Sequence, residues 1–133
     1  MDVKLILLLL ILLAAFAAST RDGVYTEGQA AHGQEAYKKS CASCHGEDLM
    51  GSGAATPPLA GSDFTMNWAG QTVNDLFDRI QTSMPADHPG TLSRSANAAI
   101  VAYILQVNKL PAGKTELPSD ADALKQIQFD AQK

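Results

Sequence analysis

The stretch KKSCASCHGEDL, Lys38–Leu49, carries both cysteines of the 133-residue chain and one of its three histidines. Cys41 and Cys44 are separated by two residues, and His45 follows directly. Towards the N-terminus, Gly33 and Tyr37 continue the series at four-residue steps. Gly33, Tyr37, Cys41 and Cys44 therefore fall along one face of a helix.

Three chemistries use closely spaced cysteines. A structural zinc site needs four nitrogen or sulfur ligands. Here a second Cys-x-x-Cys is missing, and His32 or His88 would have to join at a spacing foreign to such sites. A thioredoxin-like redox pair follows a strand, and no strand pattern precedes Cys41. Covalent haem attachment fits better. Two thiols three apart on a helix reach one porphyrin edge, and the next residue presents an imidazole from the same side; Cys-x-x-Cys-His is the signature of that arrangement.

The N-terminus agrees with such chemistry. Asp2 and Lys4 precede an unbroken apolar run, Leu5–Leu13, and then small residues, AAFAAST. This layout predicts a signal peptide over residues 1–19, cleaved at about 17–20, and hence export to a periplasm. Leu5–Ala18 is shorter than the roughly 20 residues a helical span requires, so a retained anchor is the lesser alternative. Cysteines in an oxidising compartment usually pair, but a Cys41–Cys44 disulfide closes too small a loop to act as a staple.

The chain has 14 acidic and 10 basic residues and a net charge of −4. It lacks a basic cluster interleaved with aromatics, which excludes nucleic acid as a partner class. Residues 20–27 read as a polar leader, 28–113 as one domain and 114–133 as a tail with a short helix capped by Ser119 or Asp120. Within the domain, Val73, Leu76, Phe77, Ile80 and Met84 follow helical spacing up to Pro85. Ala96, Ile100, Tyr103 and Val107 mark another helix starting near Ser93. Gly46–Gly61 has four glycines, two prolines and no periodicity. A loop that long is uncommon in a compact domain unless it is functional. The expected architecture is all-α, three main helices joined by long loops, with too few large apolar side chains to fill a core unaided.

Together, Cys-Ala-Ser-Cys-His, the Gly33/Tyr37 spacing, PPLAG at Pro57–Gly61 and AIVAYILQVN with Tyr103 resemble the small monohaem bacterial cytochromes c, over roughly Gly28–Gly113. MPADHPGTLS and the tail resemble those that accompany periplasmic dehydrogenases. The resemblance implies a cytochrome c fold wrapped around one covalently bound haem c, with the first and last helices crossing at Gly33. Cys41 and Cys44 would form the thioethers and His45 would be an axial iron ligand. The Pro57 carbonyl would accept the other His45 ring N–H, and Trp68 would donate its indole N–H to a haem propionate.

The second axial ligand is sought among the methionines, because thioether sulfur favours Fe(II) and suits a His/Met cytochrome. Met50 is only five residues past His45, a reach of at most about 18 Å when extended. Met66 is possible. Met84 is favoured, because Pro85 biases it towards extended backbone at the helix exit. An iron with two protein ligands has no vacant position, so the expected function is single-electron transfer without catalysis. The implied partners are a periplasmic dehydrogenase as donor and an oxidase or another cytochrome as acceptor. The rivals are a fixed haem subunit of a larger dehydrogenase or sulfur-oxidising complex, and a haem peroxidase.

Overall fold

The computed structural model describes residues 18–131; the expected signal peptide falls outside them, except for its last two residues. After β1 (Ala18–Ser19) and a 3-10 turn (Thr20–Asp22) come six helices: α1 (Glu27–Ser40), α2 (Ala42–His45), α3 (Ser62–Trp68), α4 (Val73–Ser83), α5 (Arg94–Val107) and α6 (Ala121–Leu124). The short strand β2 (Ile127–Gln128) follows. The all-α expectation holds apart from β1 and β2, which pair in parallel, Ala18 opposite Ile127 and Ser19 opposite Gln128. Among the described residues, no helix is long and apolar enough to cross a membrane.

Each long helix starts where a hydroxyl can satisfy a free backbone N–H. Thr26 caps α1 and Ser93 caps α5, while Thr72 and Asp75 form a reciprocal capping box on α4. α4 ends before Pro85, with Val73, Leu76, Phe77 and Ile80 buried as their spacing predicts. α5 departs from expectation. Every residue from Asn97 to Leu105 is buried, so it is a central helix and not a one-sided stripe.

α1 crosses α5 at Gly33. A Cβ there would lie 1.8 Å from the Ala99 carbonyl oxygen, so only glycine allows this approach. Tyr37 and Tyr103 pack beside the crossing, ring centroids 5.5 Å apart.

Residues 20–27, read as a polar leader, pack against the rest of the chain. Thr20 and Tyr25 are buried, and the Tyr25 hydroxyl donates to the Leu110 carbonyl at 2.6 Å. The tail folds back as well. The Gln29 carboxamide donates to the Leu117 carbonyl and accepts from its N–H, at 2.9 and 2.7 Å, as a neighbouring strand would. Arg94 donates twice to the Ser119 carbonyl, and Thr20 Oγ1 exchanges two hydrogen bonds with the Asp130 backbone. Asp120 caps α6. Leu117, Leu124, Ile127 and Phe129 enter the core, so the tail itself supplies part of the apolar volume that the domain lacked.

Candidate functional site

The helix expected to run through Cys44 breaks at Cys41. Cys41 has φ −127° and ψ −37°, its N–H bonding to the Tyr37 carbonyl, and α2 then restarts at Ala42. Cys41 thus forms the joint itself, and Cys44 lies just past it in the first turn of α2. Cys41 is half-buried and Cys44 exposed, and neither is in a disulfide. Burial, with a smaller contribution from Cys44, pushes the Cys41 thiol up to about 11, so it is protonated at neutral pH.

His45 is buried at the end of α2, its Nδ1 3.0 Å from the Pro57 carbonyl oxygen. A carbonyl only accepts, so Nδ1 carries the proton and the lone pair resides on Nε2. Nε2 has no hydrogen-bond partner among the described residues. His45 and Pro57, assigned from different motifs, are therefore brought together.

Gly46 turns the chain away at φ 84°, ψ 154°, a region essentially restricted to glycine. The buried Tyr37 hydroxyl donates to the Gly46 carbonyl at 2.6 Å. Burial, then Cys41, Tyr103 and Asp48, raise the Tyr37 phenol well above its ordinary value. Marked in the sequence only by its spacing from Gly33 and Cys41, Tyr37 also fixes the exit of the cysteine–histidine turn. A buried phenol needs a partner, which was the available signal.

The long loop has structure of its own. Gly51 N–H donates to the His45 carbonyl at 2.8 Å, Leu59 N–H to the Leu49 carbonyl at 2.7 Å and Ser52 N–H to the Thr56 carbonyl at 3.1 Å. Leu49, at φ 64°, is buried beneath it.

Among the methionines after residue 17, Met50 is 52% and Met66 69% exposed, whereas Met84 packs against the core while still reaching the surface. Met84 is extended, φ −119° and ψ 153°, as the following proline predicts. Trp68 is half-buried near Phe64, centroids 6.4 Å apart, and its indole N–H has no acceptor among the described residues. His32 and His88 are exposed; His88 Nδ1 lies 3.3 Å from Asp87. No group of three or more histidine, cysteine, aspartate or glutamate side chains that could hold a metal ion occurs among the described residues.

This donor set fits haem c. Two accessible thiols lie at and just past one joint, a fixed imidazole offers a free Nε2, and Cys41, Leu59, Trp68, Met84 and Leu92 are apolar side chains only partly covered by the core.

Comparison with known proteins gives three findings. The family described as cytochrome c oxidase, cbb3-type, subunit III matches residues 28–104. A thiosulfate dehydrogenase of Stutzerimonas stutzeri (strain A1501) is 35% identical over 80 residues, 56% of this chain and 26% of that protein. The crystal structure of the sulfane dehydrogenase SoxCD from Paracoccus pantotrophus superimposes with a TM-score of 0.53 at 25% identity, over 87% of this chain and 62% of that one. The chain thus spans about a quarter of the curated relative and less than two thirds of the structural one.

Proposed function

The chain belongs to the family of cytochrome c oxidase, cbb3-type, subunit III, whose match covers more than half of it, and on that footing we propose that it is an exported single-electron carrier. It is a small c-type cytochrome with an all-α cytochrome c fold, a haem-binding protein of electron transport. Haem c supplies reversible one-electron chemistry between Fe(III) and Fe(II).

In this reading Cys41 and Cys44 would hold the haem covalently through their sulfurs. The His45 Nε2 lone pair would ligate the iron. The Nδ1–H of the same residue is held on the Pro57 carbonyl, which orients the ring and makes it a better donor. Met84 would supply a second, thioether ligand, and the Trp68 indole N–H would be available to hold a propionate. The exposed surface around Cys44 would be the face offered to redox partners, in small transient contacts with a dehydrogenase as donor and an oxidase or second cytochrome as acceptor. The observation that supports this most directly is the His45–Pro57 hydrogen bond, because it fixes the ring and leaves the Nε2 lone pair free one residue past Cys44.

The test is the visible spectrum of the exported protein in both oxidation states, with Met84→Ala alongside. Wild type should carry a c-type haem that does not bind carbon monoxide rapidly when reduced. Met84→Ala should keep the haem, lose the sulfur-to-iron charge-transfer band and bind carbon monoxide. Rapid binding by wild type would favour an open iron and a peroxidase-like activity.

A second reading is favoured by the names of the relatives. In it the chain is a fixed haem subunit of a larger dehydrogenase or sulfur-oxidising complex. Its mass on gel filtration from the native source distinguishes the two: a carrier elutes at its own 14.0 kDa or less after cleavage, a subunit with its complex.

A further inference from the structure

His45 depends on the Pro57 carbonyl, so whatever holds that carbonyl also tunes His45. Pro57 is itself exposed, and neither Pro57 nor Pro58 has an N–H with which to anchor the segment. Among the described residues, Thr56, just before it, is tied only to Ser52 and Gly53 of its own loop, whereas the groups that anchor the segment to the helices come just after. Leu59 is held at its N–H by Leu49 and at its carbonyl by the Asn108 carboxamide, Nδ2 to oxygen 2.9 Å. Gly61 N–H donates to Asn108 Oδ1 at 3.0 Å.

The second Nδ2 hydrogen of Asn108 goes to the Ile104 carbonyl at 2.9 Å, and Asn108 N–H bonds to the same oxygen at 3.1 Å. The carboxamide therefore uses both donors and its acceptor at once. It bridges 47 to 49 residues of sequence between the end of α5 and the loop carrying the His45 acceptor. Aspartate keeps the acceptor but has no donors, alanine has neither, and glutamine is a methylene too long.

Building on the carrier reading, we infer that Asn108 is a positioning residue for the axial histidine: it fixes Leu59 and Gly61, and through them the Pro57 carbonyl on His45 Nδ1. Freed from Asn108, that carbonyl drifts and the Nδ1–H bond lengthens. The imidazole becomes a poorer donor, which costs Fe(III) more than Fe(II).

The test uses the haem-loaded protein, wild type against Asn108→Asp and Asn108→Ala. Removing a direct hydrogen-bond partner of a metal ligand typically costs about 10–100-fold. An effect relayed through two residues should shift the Fe(III)/Fe(II) equilibrium towards Fe(II) by about three- to tenfold, tenfold being about 59 mV for one electron. The His45 Nδ1–H resonance should also exchange faster with solvent.

An unchanged potential and unchanged Nδ1–H exchange would overturn the inference, even if the urea midpoint fell. Should the variants not fold, hydrogen exchange in wild type decides: the Gly61 amide and His45 Nδ1–H should open with the same protection, and independent opening refutes the link. A colourless but folded wild type would sink the carrier reading instead, while the exchange comparison would still settle the positioning role.

Discussion

Replacing Gly33 by alanine sets two effects of known sign against each other. In the interior of a helix the change from glycine to alanine is worth about 1 kcal/mol in favour of folding. At the α1–α5 crossing, however, the new Cβ would stand 1.8 Å from the Ala99 oxygen and 2.4 Å from its carbonyl carbon. Ordinary contact begins at about 3.5 Å, so the helices must part by roughly 1.5 Å or more. The obstructing atoms are backbone, and no side chain can rotate away.

Overpacking of this kind costs about 1–3 kcal/mol, and more when the backbone must move. Taking the upper end, the net loss is about 2 kcal/mol, a large part of a total near 5–15 kcal/mol. With a urea slope of about 1–2 kcal/mol per molar, the midpoint should fall by about 1–2 M. Gly28 is the internal control. It lies on the same helix, but a Cβ there meets nothing within 4 Å. Gly28→Ala should leave the midpoint unchanged or raise it slightly. If Gly33→Ala matched or exceeded wild type in urea, the close helix crossing described here would be wrong.

Two further outcomes follow from buried polar groups. Burial raises the Tyr25 phenol, with help from Glu27, and the Tyr37 phenol is raised too. The folded state then binds more protons than the unfolded one above the ordinary tyrosine value of about 10, so stability is full below it and falls as pH rises beyond it. The double variant Tyr25→Phe/Tyr37→Phe should flatten this alkaline slope in urea titrations from pH 9 to about 11; an unchanged slope would show that these phenols are not its source. Gln29→Ala strips partners from both backbone groups of buried Leu117, at about 1–3 kcal/mol for each unsatisfied group. Limited trypsin digestion should then cut sooner at Lys114, and equal rates in wild type and variant would mean that the carboxamide does not hold the tail.

Much of the site was legible in local pattern. The Cys-x-x-Cys-His run, the Pro57–Gly61 segment and the exit of α4 at Met84–Pro85 each occupy a few adjacent residues, where spacing and proline stereochemistry act directly. The start of α5 near Ser93 was equally local. The break at Cys41 was not, because the spacing from Gly33 to Cys44 suits one helix as well as two. Tyr37 gave a partial signal, a phenol in a buried register without a visible acceptor. Asn108 gave none: its three partners lie at separations of four, 47 and 49 residues, and no periodicity reports such distances.

The linear order of residues determines by itself an all-α chain with one thiol–thiol–imidazole turn, since helix faces and caps depend on neighbours three and four positions apart. Tertiary packing alone settles that α5 is buried on all sides, that residues 20–27 and the tail close over the core, and that Asn108 ties the end of α5 to Leu59 and Gly61. Those outcomes depend on which distant backbone groups become buried and must find each other as hydrogen-bond partners, a condition that exists only once the chain has folded.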